Sequence, residues 1–72
     1  MNNQVKNQDL WQFCAFYRQQ FGPVHDATIF RNELGLRFYH QTQNVQELFE
    51  RCVKQRYLRC HEGNVRIKVS VK

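Results

Sequence analysis

The stretch Tyr57-Leu58-Arg59-Cys60-His61-Glu62-Gly63-Asn64-Val65-Arg66-Ile67-Lys68-Val69-Ser70-Val71 decides the fold. Val65, Ile67, Val69 and Val71 alternate with Arg66, Lys68 and Ser70, which predicts a half-buried strand over residues 65–71. Residues 57–61 alternate in the same way, and Glu62-Gly63 lies between the two runs. A two-residue turn at that point would pair His61 with Asn64, Cys60 with Val65, Arg59 with Arg66, Leu58 with Ile67 and Tyr57 with Lys68. Apolar side chains then meet on one face and polar ones on the other. A register shifted by one residue would destroy that match.

Upstream of the hairpin the period changes to that of a helix. Val45, Leu48, Phe49, Cys52 and Val53 recur at i, i+3, i+4, i+7 and i+8, which predicts a helix from about Gln43 to Gln55. Its opposite face carries Gln43, Gln46, Glu47, Glu50 and Lys54, with Arg51 set to pair with Glu47. Before it runs the aromatic connector Arg37-Phe38-Tyr39-His40-Gln41-Thr42. A second helix is expected from Ala27 to about Leu34, capped by Asp26 and stopped by Gly35, with Leu36 packing back on its end. Phe30 and Leu34 stack within it, with Ile29 beside them.

The first helix is expected to start at Asp9 as its cap and to end at Gly22-Pro23. Leu10, Phe13, Cys14, Tyr17 and Phe21 share one of its faces, and Trp11 and Phe16 flank that stripe. Val24-His25 reads as a short extended link. Residues 1–8 are polar amides without periodicity and read as a flexible arm, leaving residues 9–72 as the domain.

The chain has 72 residues, 42% of them hydrophobic, enough for one small core and too few for two domains. No stretch approaches the roughly 18 consecutive apolar residues of a membrane span, and the polar start is not a secretory signal. A soluble, cytoplasmic protein is the expectation. The net charge of +5 is unevenly placed: residues 1–36 balance three cations with three carboxylates, whereas residues 37–72 carry eight against three. Clustered cations in a basic domain suit a nucleic-acid surface, with a solubility face as the plain alternative. Cys14, Cys52 and Cys60 are too few and too widely spaced for a zinc finger, and the histidines His25, His40 and His61 do not complete one. Each cysteine falls on an apolar stripe, which suits buried thiols, and no metal or cofactor is expected. Nor does any serine–histidine–aspartate grouping, phosphate-binding glycine loop or carboxylate pair suggest an enzyme.

The order helix, short link, helix, turn, helix, hairpin resembles the winged helix-turn-helix superfamily of DNA-binding domains, over roughly Asp9 to Val71. Thr28-Ile29-Phe30-Arg31-Asn32-Glu33-Leu34-Gly35-Leu36 is similar to the family's second helix and turn. Leu48-Phe49-Glu50-Arg51-Cys52-Val53-Lys54-Gln55-Arg56-Tyr57-Leu58-Arg59 is similar to its third helix running into the first wing strand. Glu62-Gly63-Asn64-Val65-Arg66-Ile67 is similar to the wing tip and returning strand. The family often has glycine where Arg56 stands, which implies a less tight bend here.

The resemblance implies an α+β fold whose third helix enters the major groove of double-stranded DNA. Gln41, Thr42, Gln43, Asn44 and Gln46 are then the base-reading candidates, because amide side chains can bond adenine in a bidentate manner. Helix capping by Thr42 or Asn44 is the competing role. Arg37, Arg51, Lys54, Arg59, Arg66 and Lys68 are the phosphate-binding candidates. Arg59 opposite Arg66 is a repulsive pairing that a phosphate would relieve. The polar side of the segment after Leu36 and the terminal ribbon are expected to form one continuous cationic saddle. Trp11, Phe16, Phe38 and Tyr39 are candidate contacts for a homodimer or a protein partner. The alternative function is a winged-helix module that docks on another protein in a larger assembly.

Overall fold

In a computed structural model, residues 5–41 and 44–71 are described. They form helix α1 (Asn7–Phe21), strand β1 (Val24–Asp26), helix α2 (Ala27–Arg37), helix α3 (Val45–Lys54) and strands β2 (Leu58–His61) and β3 (Asn64–Ile67). The architecture is a small α+β domain: three helices against a three-stranded antiparallel sheet of order β1-β3-β2.

The hairpin adopts the register that its alternation predicts. Leu58 pairs with Ile67, Arg59 with Arg66, Cys60 with Val65 and His61 with Asn64. The Lys68 N–H donates to the Tyr57 carbonyl at 2.7 Å, which carries the pairing one step past the strands. Glu62 and Gly63 take φ of 50° and 82°, the two positive values that a tight hairpin of matching twist requires.

Val24-His25 is a strand rather than a free link. It pairs antiparallel with β3, Val24 with Arg66 and His25 with Val65, and so makes β3 the central strand. Two further hydrogen bonds close its ends: Ile67 N–H to the Pro23 carbonyl and Ala27 N–H to the Gly63 carbonyl, both 2.8 Å. Three residues are too few to show a period, so only the partner strand reveals the segment's conformation.

α1 begins at Asn7, two residues before the expected cap. Asp9 sits inside the first turn and accepts the Lys6 N–H at 3.2 Å, so its carboxylate still satisfies a free backbone donor of the helix start. Residues 5–8 therefore belong to the domain and not to an arm. Val5 is 4% exposed and joins the core, and the Arg51 guanidinium donates to the Val5 carbonyl at 2.9 Å and to Asn7 Oδ1 at 2.7 Å. The rest of the expected arm, residues 1–4, lies outside the described residues.

α2 runs through Gly35 to Arg37. The glycine is needed for a close approach instead of a stop: a Cβ built on it would stand 2.9 Å from Val45 Cγ2. Because the helix continues, Leu36 points outward at 73% exposure and does not pack back. α3 starts at Val45, after Asn44 as its cap.

The core is built from Leu10 and Cys14 of α1, Phe30 and Leu34 of α2, Leu48, Phe49 and Cys52 of α3, and Leu58, Val65 and Ile67 of the sheet. Phe30 stands at its aromatic centre, with ring centroids 5.3 Å from Tyr17, 5.6 Å from Phe13 and 6.3 Å from Phe49. These edge-to-face contacts join α1, α2 and α3 through one side chain. Phe21 and Val53 fall on the expected stripes yet remain exposed, because each lies at the margin of its helix's buried face. His25 is half-buried; its Nε2 lies 2.6 Å from the Gly22 carbonyl and its ring packs on Tyr17, a structural role.

Candidate nucleic-acid interface

The outer face of the sheet carries the basic residues of the hairpin. Cross-strand pairing places Val24, Arg66 and Arg59 in one row and Asp26, Asn64 and His61 in the next. Arg59, His61, Asn64, Arg66 and Lys68 line a shallow groove there, with Val24 on its flank. Around the edge of β2, Arg56, Arg59 and Lys68 also border a second depression beside Val53. Four cations, Arg56, Arg59, Arg66 and Lys68, thus surround the base of the hairpin. All four are exposed.

Among the described residues no carboxylate forms an ion pair with them. The one ion pair among the described residues joins His61 to Glu62 at 3.8 Å, at the exposed turn. Asp26, the nearest acid in the sheet, is committed elsewhere: its carboxylate accepts the Thr28 and Ile29 N–H groups at 2.8 and 3.1 Å and caps α2. Arg59 and Arg66 therefore face each other uncompensated. Like charges across a strand pair destabilise it, and an anion held between them would reverse that sign.

Arg56 was absent from the expected phosphate set. It has φ of 66°, the left-handed conformation that glycine favours, so the bend from α3 into β2 is tight in spite of the arginine, not the looser bend expected. Arg31 was missed as well. It lies over the Phe49 ring, 4.9 Å from the centroid, and lines a groove between α2 and α3 with Gly35, Leu36, Tyr39, Val45 and Gln46.

The remaining cations do not join one saddle. Arg37 stacks on the Phe38 ring at 5.1 Å and borders a different groove along α1, with Asp9, Gln12, Phe16 and Gln20. Arg51 holds the chain before α1, as described above, and does not pair with Glu47. That use of its guanidinium takes it out of the phosphate set. Lys54 is exposed at the end of α3, outside the grooves of the hairpin.

The amide-rich start of α3 is largely occupied with the helix itself. Asn44 Oδ1 accepts the Glu47 N–H at 3.1 Å while Asn44 Nδ2 donates to Glu47 Oε1 at 3.2 Å. Capping, not base reading, is what the Asn44 side chain does here. Gln46 is exposed and donates to Glu50 Oε2 at 3.1 Å, and Gln41 is exposed in the connector. Thr42 and Gln43 lie outside the described residues.

Among the partner-contact candidates, Trp11, Phe16 and Tyr39 are exposed. Phe38 is not: at 2% exposure its ring packs edge-on against Phe13, 5.9 Å between centroids, and is part of the core. Cys60, expected to be buried, is exposed because β2 is an edge strand, while its partner Val65 on the central strand is fully covered. Partial burial still raises the Cys60 thiol above its ordinary range, against the opposing pull of Arg31. Among the described residues no group of three metal-ligating side chains converges, and no helix is long and apolar enough to cross a membrane. No protein-family model, curated protein or solved structure matches the chain.

Proposed function

We propose that the chain is a winged-helix protein that binds double-stranded DNA, led by the hairpin, in transcriptional or replication control. The observation that carries this reading is the face-to-face pair Arg59 and Arg66, exposed and with no ion pair to a carboxylate among the described residues, flanked by Arg56 and Lys68. The order of elements supports it: α1, β1, α2 and α3 precede the β2–β3 hairpin, and β1 pairs with β3 to complete the sheet. Arg56, Arg59, Arg66 and Lys68 neutralise backbone phosphates, and the exposed Gln41, together with Gln46 on release of its bond to Glu50, approaches base edges. Glu47 and Glu50 on α3 oppose a deep phosphate approach, so most of the affinity belongs to the wing. The role is binding, without catalysis or cofactor.

A salt titration on a duplex of random sequence tests the reading. With four cations on phosphates, log K falls against log salt with a slope of roughly −3 to −4. Absence of salt-dependent duplex binding sinks it. A docking module for another protein is the second reading, favoured by the exposed Leu36 and Tyr39 that line the α2–α3 groove. Trp11 and Phe16 on α1 are further exposed aromatics open to a homodimer or protein contact.

A further inference from the structure

We propose that Cys14 and Cys52 are a redox-active dithiol, oxidised by peroxide to a disulfide that pins α1 to α3. The two sulfurs lie 3.9 Å apart in the core, 38 residues apart in sequence and on different helices. Both side chains are fully buried, with Cys60 standing apart on the exposed edge strand. A disulfide needs an S–S distance of about 2.05 Å. The two sulfurs must therefore close by about 2 Å.

The surroundings make the two thiols unequal. Cys14 donates its hydrogen to the Cys52 sulfur, and that bond, together with burial, holds Cys14 protonated above the ordinary thiol range. The same bond draws Cys52 below its ordinary value against the effect of burial, and the Arg51 guanidinium adds to the lowering. Cys52 is the attacking sulfur and Cys14 the resolving one. In the first step the Cys52 thiolate attacks one peroxide oxygen; an S–O bond forms, the O–O bond breaks, and hydroxide leaves and takes up a proton as water. In the second, Cys14 gives up its proton and attacks the sulfenic sulfur; the S–S bond forms and the hydroxyl leaves as a second water. Peroxide is reduced and the two thiols are oxidised, with nothing else consumed.

Arg51 links this pair to the surface. It adjoins Cys52 in sequence and holds Val5 and Asn7 through its two hydrogen bonds, and Val5 belongs to the same core cluster as the two cysteines. The bond, once formed, closes a long loop between the first and third helices, the situation in which a crosslink restricts the unfolded chain most.

The test uses the full chain carrying Cys60→Ser, treated with hydrogen peroxide under native conditions and mapped by mass spectrometry. The expected product is a monomer lighter by two hydrogens, with a Cys14–Cys52 linked peptide, reversed by dithiothreitol, and with a melting temperature higher by at least about 5 °C. The Cys14→Ser, Cys60→Ser double variant is expected to stop at sulfenic acid on Cys52, trapped by dimedone. Thiols that stay reduced until the protein is unfolded, or a linked form that melts lower than the reduced one, would overturn the proposal.

Discussion

Gly35 and Val45 touch where α2 and α3 meet, and the glycine's missing side chain is what allows it: any Cβ there would approach the valine Cγ2 to 2.9 Å. The angle between these two helices, and with it the placement of the α3 start, depends on that contact. Gly35→Ala gains helix propensity of about 1 kcal/mol but forces a rigid β-branched neighbour to move. A net loss of roughly 1–2 kcal/mol in urea unfolding is expected, since overpacking usually outweighs propensity. In the Val45→Ala background the same change is expected to be neutral or stabilising. Additive effects in that double-mutant cycle would mean that the contact does not set the packing.

Arg56 holds a left-handed conformation in the bend before β2. Arg56→Gly relieves that strain and is expected to raise unfolding stability by about 0.5–1 kcal/mol, whereas Arg56→Val lowers it by more. If the arginine is also a phosphate contact, the glycine variant is more stable and binds duplex more weakly. Thermal melting and a binding isotherm on one sample separate the two effects.

Arg51 distinguishes a structural cation from a binding one. Arg51→Ala removes one hydrogen bond to Val5 before α1 and one to Asn7 at its first position, and is expected to lower stability by about 1–3 kcal/mol. Amide exchange at the start of α1 should accelerate, while the salt dependence of duplex binding stays the same. A changed salt slope would return Arg51 to the interface.

Arg59→Ala with Arg66→Ala is expected to weaken binding to every duplex by a similar factor and to lower the salt slope by roughly 2. The hairpin itself should hold or gain stability, because a repulsive cross-strand pair is gone. Unchanged affinity would remove the outer sheet face from the proposed interface.

Asn44→Ala is expected to cost about 1 kcal/mol of stability through the lost α3 cap. Any loss of binding should then be equal across duplex sequences. A selective loss at one base pair would mean that the cap residue also reads a base.

Much of the fold is legible in local pattern. The alternation over residues 57–67 carries enough information to set the β2–β3 register pair by pair, because a slip by one exchanges the buried and exposed faces. The helical stripes likewise mark Leu10, Cys14, Phe30, Leu34, Leu48, Phe49 and Cys52 as core, and all seven are buried. Of the candidate site, charge clustering locates Arg59, Arg66 and Lys68 on the hairpin and its continuation. It is blind to what each cation touches, and so it groups Arg51 and Arg37 with them.

The sequence by itself determined the order of the three helices and the hairpin, the faces of the helices and the hairpin register, since each follows from side chains a few residues apart. Tertiary structure alone decided that Val24-His25 is a strand, because its hydrogen bonds go to β3, some forty residues later in the chain. It also decided that Gly35 lies within a helix and that Phe38 is core, because Val45 and Phe13 supply the surfaces they meet. Local periodicity records which way a side chain points. Whether anything stands there to cover it, or to bind it, depends on residues far along the chain.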